Sequence, residues 1–279
     1  ELKEDFKIYW EEFPIAKLLP SKDYLKPEFS LIVDDMIESP EQKKLQFFLE
    51  NWVNEKINLI LKSLIDLKNS KESKSNIRAL SYQLYENNGV VKRENVIDYL
   101  NKLDQEERKN LRNIGVKFGR YHVYLYKLLK PEAVSLRLIL WKNYHQKYFD
   151  FKPPKFGLNF LESKKPLNKN FMLICGFEKF DNFFVRIDIL ERLFIQIINS
   201  DKEKTKEIML VPEMLNLLGC NKDNFIKLIK KMNYKSIEKK NKVYFKYLSF
   251  KNKNYKNDNK TTNENSPFNV LKNLVSNNV

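Results

Sequence analysis

Apolar and polar residues alternate through the opening of the chain. Phe6, Ile8 and Trp10 take turns with Lys7 and Tyr9, the period of a half-buried strand. Ile15-Ala-Lys-Leu-Leu19 follows a Glu-Glu-Phe-Pro turn, and Phe29-Ser-Leu-Ile-Val33 follows a Lys-Pro break. Residues 1–35 therefore read as a β-rich segment. It starts at Glu1, almost directly in strand pattern, and is expected to continue from a missing upstream part.

The apolar period then lengthens to that of a helix. Leu45, Phe48, Leu49, Trp52, Val53, Ile57, Ile60, Leu61, Leu64 and Ile65 form one stripe. Ser39-Pro-Glu-Gln42 announces its start, with Ser39 as cap, Pro40 in the first helical position and Gln42 completing a capping box. The stripe ends near residues 69–70. A second helix is predicted over 75–87, stopped by Gly89, and short helices over 94–103 and 105–114, the latter capped by Asp104. The two glycines in Gly115-Val-Lys-Phe-Gly-Arg-Tyr-His-Val-Tyr-Leu125 imply a bent or closely packed backbone. Pro131 opens a helix to about residue 149, apolar around most of its circumference and so expected near the centre of the fold.

Residues 151–170, with Pro153, Pro154, Gly157 and Pro166, read as a linker. A smaller α/β region follows: a strand over 171–177, a helix over 185–199, a short strand over 208–210, two helices and a hairpin. From residue 251 the chain turns to Lys, Asn, Asp and Thr, the composition of a disordered basic tail, with a short helix over 270–274. No internal repeat is visible. The fold class predicted is mainly α with small β elements: a helical domain over 36–150, then a winged-helix-like α/β unit over 171–250. No apolar run approaches the roughly 20 residues that span a bilayer, so no membrane partner is expected.

Charge changes this picture only in part. The net charge of +15 suggests a polyanionic partner. Yet lysine greatly outnumbers arginine, and Asn, Ile, Phe and Tyr are plentiful, as in proteins of AT-rich genomes. Position, not total charge, must decide. Cys175 and Cys220 lie far apart, which points to a reducing compartment, simplest as a bacterial cytoplasm.

The familiar catalytic patterns are missing. There is no phosphate loop, no Gly-x-Gly-x-x-Gly turn and no Cys-x-x-Cys or His-Glu-x-x-His motif. His122 and His145 are the only histidines, and neither has a recognisable nucleophile nearby. Asp188 and Glu191, three apart on a predicted helix and flanked by Arg186 and Arg192, could do acid–base work. An ordinary ion-paired helix surface is the favoured reading. No catalytic residue and no cofactor or metal site is assigned, although a hidden hydrolase site stays open as the last alternative.

Two basic surfaces remain. Over 208–247 a short helix with Pro212 in its first turn closes at Gly219, and a helix follows with Phe225, Leu228, Ile229 and Met232 on one stripe. Lys227, Lys230 and Lys231 lie mostly outside that stripe, and a basic hairpin surrounds Lys239-Lys-Asn-Lys242. Helix, tight turn, basic helix and basic hairpin are the order of a winged helix-turn-helix, which can lie against phosphates or serve only for packing. The second surface interleaves Lys117, Arg120, His122, Lys127 and Lys130 with Tyr121, Tyr124 and Tyr126, and is extended by Arg137 and Lys142. Rings between cations suit single strands, because bases stack while cations meet phosphates. Half of these rings could instead be core, with His122 a structural hydrogen bonder.

The same stretch carries a family resemblance. Gly115-Val-Lys-Phe-Gly-Arg-Tyr-His-Val-Tyr, then Leu128-Leu-Lys-Pro-Glu-Ala133 and Leu136-Arg-Leu-Ile-Leu-Trp141, resembles the region after the motor in bacterial helicases related to the RNA helicase of the mitochondrial degradosome. Val185-Arg-Ile-Asp-Ile-Leu-Glu-Arg192, Val211-Pro-Glu-Met-Leu-Asn-Leu-Leu-Gly-Cys220 and the early Ile8-Tyr-Trp with Pro14-Ile-Ala-Lys-Leu18 and Leu25-Lys-Pro27 resemble it too, in one order over residues 6–235. The resemblance implies a superfamily 2 helicase whose motor, with its ATP and Mg, lies outside this chain. It implies an accessory C-terminal region that packs on the motor domains and contacts single-stranded RNA or DNA. The competitors are a structural, protein-docking segment whose charge is compositional, and a winged-helix DNA-binding regulator.

Overall fold

The computed structural model describes residues 1–33, 38–69, 75–146, 152–163, 167–200, 207–240 and 242–248. The first three strands, β1 (Lys7–Trp10), β2 (Phe13–Leu19) and β3 (Glu28–Leu31), form an antiparallel meander. Strand alternation holds for Ile8, at 2% exposure, but Trp10 at the hairpin tip is 65% exposed and belongs to no core.

Helix α1 (Ser39–Ile60) buries Leu49, Val53 and Ile57 of the expected stripe, while Phe48 stays exposed. Glu38, not Ser39, takes the cap position, without a side-chain cap bond, and Pro40 sits in the first turn as expected. The predicted single helix breaks at Leu61 and resumes as α2 (Lys62–Lys68). Leu61 and Leu64 are fully buried, so the apolar period continues across a break that periodicity alone cannot show.

From here one connectivity recurs in three successive units. In the first, α3 (Ser75–Glu86) leads to β4 (Val90–Lys92), α4 (Ile97–Lys102), α5 (Gln105–Ile114) and the hairpin β5 (Val116–Phe118), β6 (His122–Leu125). In the second, α6 (Pro131–His145) leads to β7 (Phe160–Glu162), a single helix α7 (Lys169–Ile174) and the hairpin β8 (Phe177–Phe180), β9 (Phe183–Arg186). In the third, α8 (Ile187–Ser200) leads to β10 (Ile208–Met209), α9 (Pro212–Leu218), α10 (Lys222–Lys231) and the hairpin β11 (Tyr234–Lys239), β12 (Lys242–Tyr247). The sheet orders are β4-β6-β5, β7-β9-β8 and β10-β12-β11, so the last strand of every unit is the central one. The protein is thus of mixed α/β class, with small antiparallel sheets.

Two expectations are corrected here. Residues 171–177 are not a strand: Asn168 caps the N–H of Phe171, starting α7, and the strand begins only at Phe177. Residues 151–170 are more than a linker, because β7 within them pairs with β9. The proline-rich approach hides a strand only three residues long. The basic tail and its expected short helix lie outside the described residues.

Helix α6 joins the cores. Leu136, Ile139 and Leu140 pack with α1–α5, while Val134, Leu138 and Trp141 pack with α7 and β8–β9. This two-sided burial is what its all-round apolar sequence requires. The best local agreement is α5, where Asp104 and Glu107 form a complete capping box and Gly115, at φ +112°, supplies the left-handed C-cap. Asp104→Ala is expected to lower stability by about 1 kcal/mol in urea titrations, since it orphans the Glu107 N–H. No helix of the described residues is long and apolar enough to cross a membrane.

Candidate nucleic-acid interface

The turn between β5 and β6 is built around a carboxylate. The N–H groups of Arg120, Tyr121 and His122 donate to Glu191 at 2.5, 3.0 and 2.8 Å. Glu191 projects from α8, in the third unit, and is buried. Gly119 allows this approach, since a Cβ there would collide with the Glu191 carboxylate. The Gly-Arg-Tyr-His run is therefore a backbone cradle that clasps a distant helix.

His122 sits inside the clasp at 2% exposure. Its Nδ1 lies 3.2 Å from Glu191 Oε1 and its Nε2 lies 3.2 Å from Glu178 Oε2, on β8. Lys92 of β4 closes the row, 2.9 Å from Glu178 Oε1. A neutral imidazole has one N–H, whereas two carboxylates on opposite nitrogens are both satisfied only by the imidazolium. Burial alone disfavours the charged ring, but Glu178 and Glu191 outweigh it and hold His122 above its ordinary value. Burial likewise pushes Glu178 up, and the bonds from His122 and Lys92 bring it below the usual carboxylate range.

Two residues expected at a nucleic-acid surface are thereby reassigned. His122 is enclosed between carboxylates. Arg137 is 0% exposed and donates to the carbonyls of Asn88, Leu128 and Ile174 at 2.7, 2.6 and 2.8 Å. Neither side chain reaches a phosphate without unpacking the fold. The expected ion-paired helix surface also divides. Asp188 does pair with Arg186, at 2.7 Å, but Glu191 faces inward.

The other predicted cations are exposed. Lys117 lies over the Tyr126 ring at 5.2 Å, and Lys130 lies beside Pro131 in a hollow formed with residues 153–158. Lys227, Lys230 and Lys231 lie along the outer face of α10, as its apolar stripe requires. Arg120 and Lys231, drawn from the two separate basic surfaces of the sequence, line one groove of about 500 Å³. Lys92 and Arg93 also line it, with Tyr121 and Phe180 as its rings. Arg120 lies 5.7 Å over the Tyr247 ring, and Lys231 pairs with Asp181 at 2.9 Å. That pair is more than half exposed on both sides, so it contributes about 0–1 kcal/mol and yields readily to a phosphate.

Sequence reasoning missed Lys92, Arg93, Glu178 and the inward role of Glu191. Only Gly119 carried a local signal, since a glycine inside a strand pattern marks close approach of another group. No group of His, Cys, Asp and Glu among the described residues has the arrangement of a metal site. No family model matches the chain, and no curated protein or solved structure is detectably similar to it.

Proposed function

We propose that the protein is a strand-guiding accessory region, which holds single-stranded RNA or DNA in the groove where its three units meet. The observation that carries this reading is the convergence of Arg120, Lys231, Lys92 and Arg93 beside Tyr121 and Phe180. Cations meet phosphates there while a ring face offers stacking, the combination that single strands use. The helix–strand–helix–hairpin order shared by the three units supports reading them as winged-helix-like, a frame that commonly presents such surfaces. The resemblance of the Gly115–Trp141 stretch to post-motor regions of superfamily 2 helicases supplies the partner. The motor would belong to the same parent protein and provide the ATP and Mg chemistry, while this chain guides the strand.

Charge reversal tests the groove. Arg120→Glu with Lys231→Glu is expected to weaken single-stranded RNA binding by tenfold or more in fluorescence anisotropy. The log–log salt slope should fall by about 0.7 for each phosphate that is no longer neutralised. Unchanged affinity and slope would overturn the reading.

A protein-docking scaffold is the second reading, favoured by Trp10, Phe13, Phe47 and Phe48, which are 57–71% exposed. It requires salt-insensitive association with motor domains and no affinity for nucleic acid.

A further inference from the structure

We propose that a second hollow, walled by Tyr24, Tyr85, Trp141, Tyr144 and His145, binds an unstacked nucleobase carrying a phosphate. It shares no lining residue with the groove and measures about 520 Å³, within the usual range of small-molecule sites. It lies where the loop after β2 meets the ends of α3 and α6 and the start of α7.

The arrangement of its rings points to the ligand. Tyr144 meets His145 at 5.2 Å and 85°, Trp141 meets His145 at 4.9 Å and 65°, and Tyr24 meets Tyr144 at 6.3 Å and 71°. Rings set edge to face leave flat faces uncovered by one another, and a base stacks on such a face. The Tyr24 hydroxyl is buried without a hydrogen-bond partner among the described residues, a donor that an occupant's acceptor would satisfy. Asn88 and Asn170 add side-chain amides, which both donate and accept, as the edge of a base requires.

Charge selects the phosphate. Arg137 does not line the hollow and makes no contact with an occupant, but it is bonded to the carbonyls of Asn88 and Ile174, which do line it, and so adds a positive field from behind the wall. All of its hydrogen bonds among the described residues run to main-chain carbonyls, so no carboxylate neutralises it at contact. Lys22 stands at the rim. Two carboxylates line the hollow, Glu86 and Asp23, the latter tied to Lys68 and to the Tyr85 hydroxyl; Lys22 and Lys68 balance them, and Arg137 leaves the surplus positive. The base could come from a free nucleotide or from the end of a strand, and the chemistry is shared.

Trp141 reports on occupancy. In the full chain with Trp10→Phe and Trp52→Phe, 5′-AMP or 5′-UMP is expected to quench the remaining tryptophan saturably. Tyr144→Ala should weaken the effect about tenfold or more, as loss of one stacking partner does, and His145→Ala should weaken it too. Both side chains are exposed, and an unchanged circular dichroism melt shows that the variants fold. Quenching by free nucleotides identifies a nucleotide site. Quenching by linear oligouridylate but by neither mononucleotides nor a closed circle identifies a strand-end site. No quenching by any of these, or quenching indifferent to both substitutions, overturns the proposal. Trp141 is not among the groove's lining residues, so failure here and failure of the strand-guiding reading are separate results.

Discussion

Replacing His122 by alanine is expected to cost about 3–5 kcal/mol near pH 6, the loss typical when one partner of a buried ion pair is removed. The reason is local and severe. Without the ring, Glu178 keeps only Lys92, and Glu191 keeps its three backbone donors but loses the charge facing it. Two buried carboxylates would then share a site with a single cation. The units they join would loosen, because Lys92 and His122 belong to the first, Glu178 to the second and Glu191 to the third.

The same clasp makes stability depend on pH in a definite direction. His122 is raised above its ordinary 6.5, so its contribution is complete below that value and is lost as pH climbs through the raised one. Glu178 is lowered from its ordinary 4.5, so its contribution is present above that value and is lost as pH falls through the depressed one. The clasp is therefore strongest between about pH 4.5 and 6.5. Urea titrations of the natural protein and His122→Ala should differ most in that window, and the gap should narrow toward pH 9. A gap that stays constant with rising pH would mean a neutral ring and would refute the imidazolium.

What the sequence disclosed follows from the range of each interaction. Helix α5 was legible because its cap signal, Asp104, is local; Glu107 and Gly115, which complete the capping box and the C-cap in the structure, also lie within one turn of its ends. Helix α7 was misread because six apolar-rich residues suit a strand and a short helix equally, and the deciding bond from Asn168 lies outside the run. The threefold connectivity leaves no visible repeat in the sequence, because it lives in strand pairing and not in side-chain identity. The groove was half legible. Arg120 and Lys231 stood out as cations beside rings or on a polar helix face, but the packing between units that brings them together spans more than a hundred residues of chain. The inward turn of Glu191 and the burial of Arg137 are tertiary facts. The helix that carries Arg137 was expected to be central, but which carbonyls meet the arginine is set by packing across three separate segments.

Arg137 gives the second large effect, and its sign separates two accounts of a buried charge. A guanidinium without a carboxylate is costly to bury, and replacing buried ionic groups with apolar ones of similar size is often neutral or stabilising. On that ground Arg137→Met would raise stability. The partners argue otherwise. The carbonyls it binds belong to Asn88 just past α3, Leu128 in the turn before α6 and Ile174 at the end of α7, where helical turns leave carbonyls without internal partners. A cation there also complements the negative ends of the helix dipoles. Methionine would orphan all three at about 1–3 kcal/mol each, against the several kcal/mol recovered by removing the charge. Because the carbonyls join three separate segments, their loss also frees the backbone there, and the balance falls at a net destabilisation of about 2–4 kcal/mol. Arg137→Lys keeps the charge but has no planar fork to span three acceptors, so it should recover less than half of that loss. Urea titrations of both variants decide it. A methionine variant as stable as the natural protein would show the arginine to be a tolerated charge and not the tie between these segments.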